Sequence, residues 1–458
     1  MTDKKFHSEG MLRELYDVTK KSYVIPPEKY NKYDVKRGLR NHDGSGVLAG
    51  LTNISEVHGY IVREDEKTSD YGTLAYRGYD INDLARKCGI NGRYKFEEAC
   101  YLLLFGRQPT KLEFENFIEF FSENRFLPNG FTEDMILKQP SRDIMNKLGR
   151  SVLTLYSYDE HADDCSIENV LRQSIELIAR MPILAAYGYQ AKAHYFDEKS
   201  LILHQPLAQY SIAENLLRMT RPDGKFTPEE AELLDTCLLL HAEHGGGNNS
   251  AFSCRVLSSS GTDTYSALAG AISSLKGPRH GGANAKVMAM MRDIKAHITN
   301  WEDEDEVYNY LAMIVRKEAF DGSGLIYGIG HVVYTLSDPR TTILKERAEN
   351  LAQGTKYEAE FKLYNLIERL APVVLREVKG SDKVVSANVD FYSGFVYKML
   401  RLPEELYTPL FAVARSAGWC AHRIEEIISG GKILRPAYKS ICKIGKEFVD
   451  MDDRVTDE

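Results

Sequence analysis

The stretch Gly277-Pro-Arg-His280-Gly-Gly-Ala-Asn284-Ala-Lys-Val287-Met-Ala-Met290-Met291-Arg-Asp-Ile294 decides the fold class. Its second half repeats apolar residues at i, i+3, i+4 and i+7, through Val287, Met290, Met291 and Ile294, which is one face of a helix. The same period recurs from Ile167 through Val170, Leu171, Ile175 and Ile178, and again in Val307, Leu311, Ile314 and Val315. Pro182 is expected to end or kink the first of these runs. Glu302 to Glu306 precede the second, where acidic groups suit a helix N-terminus. Tyr407 to Ile428 reads as one long, mostly buried helix.

Strand signals are few. Gly46 to Val62 and then Thr73 to Tyr79, punctuated by glycines, are expected to form a small antiparallel element. No strand–helix alternation recurs, so a doubly wound sheet is disfavoured. The class is mainly α, with a minor N-terminal β element.

Composition narrows the function. The 458 residues carry 58 Lys and Arg against 66 Asp and Glu, a net charge of −8. Neither nucleic acid nor an anionic membrane is the expected partner. The most apolar stretch, Leu406 to Ala421, contains Arg415, which argues against a membrane span. Seven cysteines, an odd number without a CxxC pair, read as reduced thiols. Lys4 and Lys5 mixed with Glu9, Glu14 and Asp17 give no secretory or transit pattern. A cytoplasmic location is the expectation.

Glycine clusters break the helical run three times, each beside a histidine: His244 with Gly245 to Gly247, His280 with Gly281 and Gly282, His331 after Gly328 and Gly330. His280, just ahead of a helix start, would keep a neutral ring that donates a hydrogen bond. His331, alone, reads equally as a loop histidine. Asp390, in Asn388-Val-Asp390-Phe-Tyr-Ser-Gly394, reads equally as a helix cap. Arg415 sits inside Leu410-Phe-Ala-Val-Ala-Arg, and a charge on an apolar helix needs an anion or an exit to water. Arg435, alone, reads as a surface charge. His241 and His244 are spaced i, i+3 rather than i, i+4, with no obvious third ligand, so no metal site is expected.

Together, His241-Ala-Glu-His244-Gly-Gly-Gly-Asn-Asn-Ser250, Gly277 to Asn284, Gly328-Ile-Gly-His331-Val-Val-Tyr-Thr-Leu-Ser-Asp-Pro-Arg340 and Asn388 to Gly394 resemble the citrate synthase family. Leu74 to Leu84, Leu102 to Pro109 and Ala213 to Leu217 extend the resemblance over about Val47 to Lys439. It implies a homodimer of two-domain helical chains. The large domain would comprise residues 1–280 and 391–458, including a C-terminal tail that crosses the dimer, and the small domain 281–390. It implies an acyltransferase of the tricarboxylic acid cycle, condensing oxaloacetate with acetyl-CoA and hydrolysing citryl-CoA to citrate and CoA. Asp390 matches the general base, His280 the enolate stabiliser and His331 the ketone polariser. His244, Arg340, Arg415 and Arg435 match the substrate binders, Arg435 supplied by the partner subunit. Lys383, seven residues before Asp390, with Gly328 and Gly330, would contact CoA. No cofactor is implied, since acetyl-CoA is a substrate. Many bacterial relatives carry basic residues one and four positions after the equivalent of His331, where this chain has Val332 and Thr335. A 2-methylcitrate synthase, which takes propionyl-CoA with the same catalytic set, and a catalytically silent helical scaffold are the alternative readings.

Overall fold

The structure is a computed structural model that describes residues 10–454 except 14, 18, 21–22, 42, 64–65, 381–382 and 443–444. Lys4, Lys5, Glu9 and Glu14, on which part of the targeting argument rests, lie outside these. After a six-residue helix (Pro27–Lys32) and a short 3-10 turn come three antiparallel strands: β1 (Ser55–Arg63), β2 (Glu66–Tyr76) and β3 (Tyr79–Asp80). β1 begins nine residues later than the glycine pattern predicts, and residues 46–54 lead in without regular pairing, except a bridge from Gly46 to Arg40.

Fifteen helices of seven residues or more follow among the described residues: α1 (Ile81–Lys87), α2 (Lys95–Phe105), α3 (Lys111–Glu123), α4 (Ile144–Leu155), α5 (Ile167–Asp197), α6 (Ile212–Thr220), α7 (Pro228–His241), α8 (Asn249–Ser259), α9 (Thr264–Lys276), α10 (Ala283–His297), α11 (Glu304–Val315), α12 (Pro339–Ala352), α13 (Glu358–Lys379), α14 (Val389–Met399) and α15 (Tyr407–Ile428). Their starts are written locally. Thr110, Ser211 and Thr227 each form a capping box with a glutamate three residues on. Asp303 caps α11 ahead of three acidic residues.

Pro182 does not end its helix: α5 continues to Asp197. A proline inside a helix costs about 3 kcal/mol, but Leu177, Ile178, Met181, Ile183 and Leu184 are all buried on its two flanks. That packing outweighs the lost backbone bond. The central helix is α15, which packs against α2, α5, α7, α8 and α9. A second group forms where α10 and α12 pack on α14, and α11 and α12 on α13. α12 against α1 and α7, and α10 against α15, join the two groups.

The small sheet braces one loop of this assembly. A register shift between His58 and Tyr60 makes a bulge at Gly59. There a Cβ would stand 2.7 Å from the Val333 carbonyl oxygen and 2.9 Å from Tyr334 Cα. On β2, a Cβ at Gly72 would stand 2.0 Å from the Ser337 carbonyl oxygen. The two glycines therefore let the hairpin lie directly on residues 333–337, and Thr335 Oγ1 donates to the Gly59 carbonyl at 2.7 Å.

Gly72→Ala should force these two layers apart. Overpacking of this kind costs about 1–3 kcal/mol, to be read as a lowered urea midpoint. A midpoint equal to that of the parent protein would mean the contact is soft.

Candidate active site

A cavity of about 540 Å³ opens where α8, α10, α14 and α15 converge with the loops before α8 and α12. His244, His280, His331, Arg340, Asp390 and Arg415 all line it. His280, His331 and Asp390 are 51 and 59 residues apart in sequence, so only tertiary packing brings them together. Among the described residues no group of histidine, cysteine or carboxylate side chains is arranged to hold a metal.

His280 sits in a turn between α9 and α10, closed by its own N–H and that of Gly281 on the Gly277 carbonyl. The second donor comes from a residue that must be glycine, since a Cβ there would meet the Leu275 carbonyl at 2.2 Å. The ring's Nε2 accepts from the Ser250 backbone N–H at 3.3 Å and lies 3.0 Å from Ser250 Oγ. Trp419 Nε1 in turn donates to that hydroxyl oxygen at 3.1 Å. With Nε2 an acceptor, the proton of the neutral ring is assigned to Nδ1. Burial, and then the Arg415 charge, push its pKa down to about 4.

His331 is wired the other way round. Its Nδ1 accepts the backbone N–H groups of Val333 and Tyr334, both at 3.1 Å. The proton is therefore assigned to Nε2. Burial and the nearby Arg340 hold this ring neutral, with a pKa of about 4. Tyr334 stacks on it with centroids 4.8 Å apart, and His244 meets its edge at 5.3 Å. The Tyr334 hydroxyl also reaches His244 Nε2 at 3.2 Å. One tyrosine thus positions two histidines, and the hairpin glycines hold that tyrosine. Burial pushes His244 well below its ordinary pKa, with Arg340 and His331 adding to the shift.

The cations differ in how they are held. Arg340 starts α12 and is gripped by Asp338, through Nε at 3.0 Å and Nη2 at 2.8 Å. Arg415 lies fully buried in α15. Its Nε donates to the His241 carbonyl at 2.7 Å and its guanidinium stacks on Phe411. Its two terminal nitrogens have no hydrogen-bond partner among the described residues. Burial pulls its pKa down to about 10, partly countered by Glu243. Glu243 is itself buried. It accepts from Ser55 Oγ at 2.9 Å and from the Gly245 N–H, and lies 2.9 Å from His422 Nε2. Burial pushes this carboxyl up, but His422, Arg415 and Ser55 together hold it at about 2.

Asp390 occupies the first turn of α14, while the cap itself is Asn388. Asn388 accepts from the Asp390 N–H and donates from Nδ2 to the Gly330 carbonyl at 2.9 Å. Its own N–H donates to the Gly328 carbonyl. This ties the His331 loop to the start of the Asp390 helix. Burial pushes the Asp390 carboxyl up to about 6, with Arg340 pulling it down and Asp338 pushing it up.

Some expected residues lie elsewhere. Arg435 is exposed, outside its own chain's cavity. Lys383 and Gly330 line a neighbouring cavity of about 820 Å³ that shares Arg40, His331 and Val332 with the first. Gly328 is buried instead, with Phe391 and Val287 where its Cβ would be. Thr335 is occupied by the hairpin. Ser250 and Tyr334 were in plain view inside the histidine segments, but only their tertiary partners mark them out. Arg40 carries no local signal.

This mainly helical frame with a histidine- and arginine-lined cavity agrees with the comparisons. The family model for the citrate synthase C-terminal domain matches residues 42–437. The citrate synthase of Haloferax volcanii is 33% identical over 428 residues, covering 92% of this chain and 99% of the relative. A protein of Corynebacterium glutamicum named 2-methylcitrate synthase 2 is 30% identical over 407 residues, covering 88% of this chain and 94% of its own. The crystal structure of citrate synthase from Thermotoga maritima superposes with a TM-score of 0.72 at 27% identity, covering 92% of this chain and all of that one. The chain belongs to the citrate synthase family, a family of enzymes.

The raised pKa of Asp390 has a stability consequence. Between its unfolded value near 3.8 and its folded value of about 6, the folded state binds the extra proton, so stability falls as pH rises through that window. Above it the full cost is about 3 kcal/mol. Asp390→Asn should therefore be more stable than the parent by about 1–3 kcal/mol at pH 7.5, with the gain shrinking below pH 6 and gone by about pH 4. Urea unfolding at three pH values checks this. A variant less stable at every pH would contradict it.

Proposed function

We propose that this enzyme condenses oxaloacetate with the acetyl group of acetyl-CoA and hydrolyses the citryl-CoA formed. The observation that carries the reading is a buried guanidinium, Arg415, with two unsatisfied nitrogens in a cavity shared with neutral histidines and a carboxyl of pKa about 6. A buried charge of that kind requires an anion. Arg340 beside it suits a dicarboxylate, which planar guanidinium forks bind well.

The step follows from the proton positions. Asp390 takes a proton from the thioester methyl, and the Nδ1–H of His280 donates to the developing enolate oxygen. The enolate carbon attacks the ketone of oxaloacetate while the Nε2–H of His331 polarises, then protonates, the ketone oxygen. Water then cleaves the citryl thioester to citrate and CoA. A carboxyl of pKa about 6 is ionised at neutral pH yet more basic than an ordinary aspartate, as this task needs. The neighbouring cavity, with Arg40, Lys379 and Lys383 on its wall, suits the phosphates of CoA.

The assembly we propose is a homodimer in which Arg435 completes the partner's site. The exposed Arg435, with Ile433 and Tyr438 equally exposed on a segment lacking helix or strand, supports that reading. The smaller domain would span residues 281–390. Propionyl-CoA as acyl donor is the second reading, supported by the resemblance to a 2-methylcitrate synthase. One methylene changes discrimination by only about 1–3 kcal/mol.

Thiol release from acetyl-CoA and propionyl-CoA, each with and without oxaloacetate, tests the reaction. Release should need oxaloacetate and be faster with acetyl-CoA. Release from neither donor would overturn the reading, and preference for propionyl-CoA would select the alternative. With acetyl-CoA, kcat/KM should fall as pH drops through about 6, where Asp390 gains its proton. A profile flat to pH 5 would remove Asp390 from the role of base.

Mixed dimers test the assembly. Asp390→Ala and Arg435→Ala homodimers should each be nearly inactive. Unfolding and refolding a 1:1 mixture should restore roughly a quarter of parental activity, because about half the dimers are mixed and each has one intact site. Confirmed mixed dimers with no recovery would confine Arg435 to its own chain.

A further inference from the structure

A third cavity, of about 520 Å³, lies on a different face, where the C-terminal half of α10 and the last turn of α14 meet α5 and the connection into α15. Nothing in the condensation chemistry uses it. Its wall carries five cations: Lys199, Arg292, Lys295, Lys398 and Arg401. Two carboxylates, Glu404 and Glu405, stand beside them. Both are engaged, Glu404 by Arg292 at 2.5 Å and Glu405 by Lys192 at 2.8 Å. Behind the wall, Lys295 and Lys398 share the single carboxylate of Glu360, each at 2.5 Å. Two ammonium groups on one carboxylate leave one positive charge uncompensated, in a place where Lys295 is largely buried. Arg401 reaches Glu230 at 3.3 Å. The cavity is thus cation-rich in a chain whose net charge is −8. Tyr189, Tyr357 and Tyr407 supply flat apolar walls between the charges.

We propose that this cavity binds a small molecule carrying a di- or triphosphate, with Arg292, Lys295 and Lys398 on the phosphate oxygens. A polyphosphate supplies several charges over a short length. It can meet cations on two helices at once, and so replace the one carboxylate that Lys295 and Lys398 now divide. A neutral ligand would leave Lys295 and Lys398 dividing one carboxylate, as they do without it. The volume falls in the range of ordinary small-molecule sites.

The placement also connects this site to the other. Lys398 stands on the helix that carries Asp390, and Lys295 on the helix that follows His280. Tyr407 lines both cavities. A ligand here therefore grips both helices at the ends remote from the histidines.

Isothermal titration with tripolyphosphate, and separately with ATP, tests the site. Oxaloacetate and CoA are held saturating, so that the other two cavities are filled. Both probes should bind once per chain, more weakly as salt is added. The Lys295→Met, Lys398→Met double variant should lose at least tenfold in affinity. Lys383→Met, in the neighbouring cavity, should change it by no more than about twofold. Should the double variant fail to fold, Arg292→Gln is the second probe, with a loss of at least threefold expected. No saturation up to about 10 mM, or equal affinity in parent and variants, overturns the proposal. ATP binding without tripolyphosphate binding would place recognition on the base and overturn it as well.

Discussion

A guanidinium buried without an anionic contact is the constraint on which this structure turns. Arg415 is held in α15 by a backbone carbonyl and an aromatic face, and its terminal nitrogens have no hydrogen-bond partner among the described residues. The cost of that arrangement is met by the surrounding helices, because α15 is the element on which α2, α5, α7, α8 and α9 all pack. The charge then sets its neighbours. Together with burial, it lowers His280, His244 and Asp390 relative to what burial alone would give the carboxylate, so histidines stay neutral while Asp390 remains ionisable. One low-dielectric cavity thereby sorts its groups into fixed cations, neutral rings and a carboxyl raised to about 6.

Positioning is achieved at a distance from the reacting groups. The hairpin contributes no residue to the proposed proton transfers, yet Gly59 and Gly72 let it press on Tyr334, which aligns His331 and His244. Asn388 joins the His331 loop to the Asp390 helix through three hydrogen bonds. Ser250 and Trp419 fix the tautomer of His280 from behind. The two histidines present opposite nitrogens for this reason: one is wired through Nε2 and the other through Nδ1.

Much of this was legible in the sequence, and the parts that were not share a cause. Helical periodicity foretold α10 and α11, where each buries one stripe on the core, whereas α15 is buried almost all round. The glycine–histidine pairs pointed to segments whose histidines line one cavity. Pro182 does not end its helix, since a local rule about one hydrogen bond could not weigh burial along both sides of α5. The sheet was located but started too early, because glycines at 46 and 50 mark a lead-in rather than a strand. Tyr334 and Ser250 stand inside quoted motifs, but their roles depend on partners 90 and 30 residues away. Arg40 and the cation-rich third cavity depend wholly on tertiary approach.

Burial and backbone wiring keep the two candidate catalytic histidines neutral, with opposite tautomers, before any substrate arrives. Nitrogen-15 NMR of histidine-labelled protein, with His280→Gln and His331→Gln variants for assignment, reads this directly. Between pH 5.5 and 8 both rings should remain neutral, His280 carrying its proton on Nδ1 and His331 on Nε2. A ring that takes a second proton above about pH 6, or that carries its proton on the other nitrogen, would contradict it.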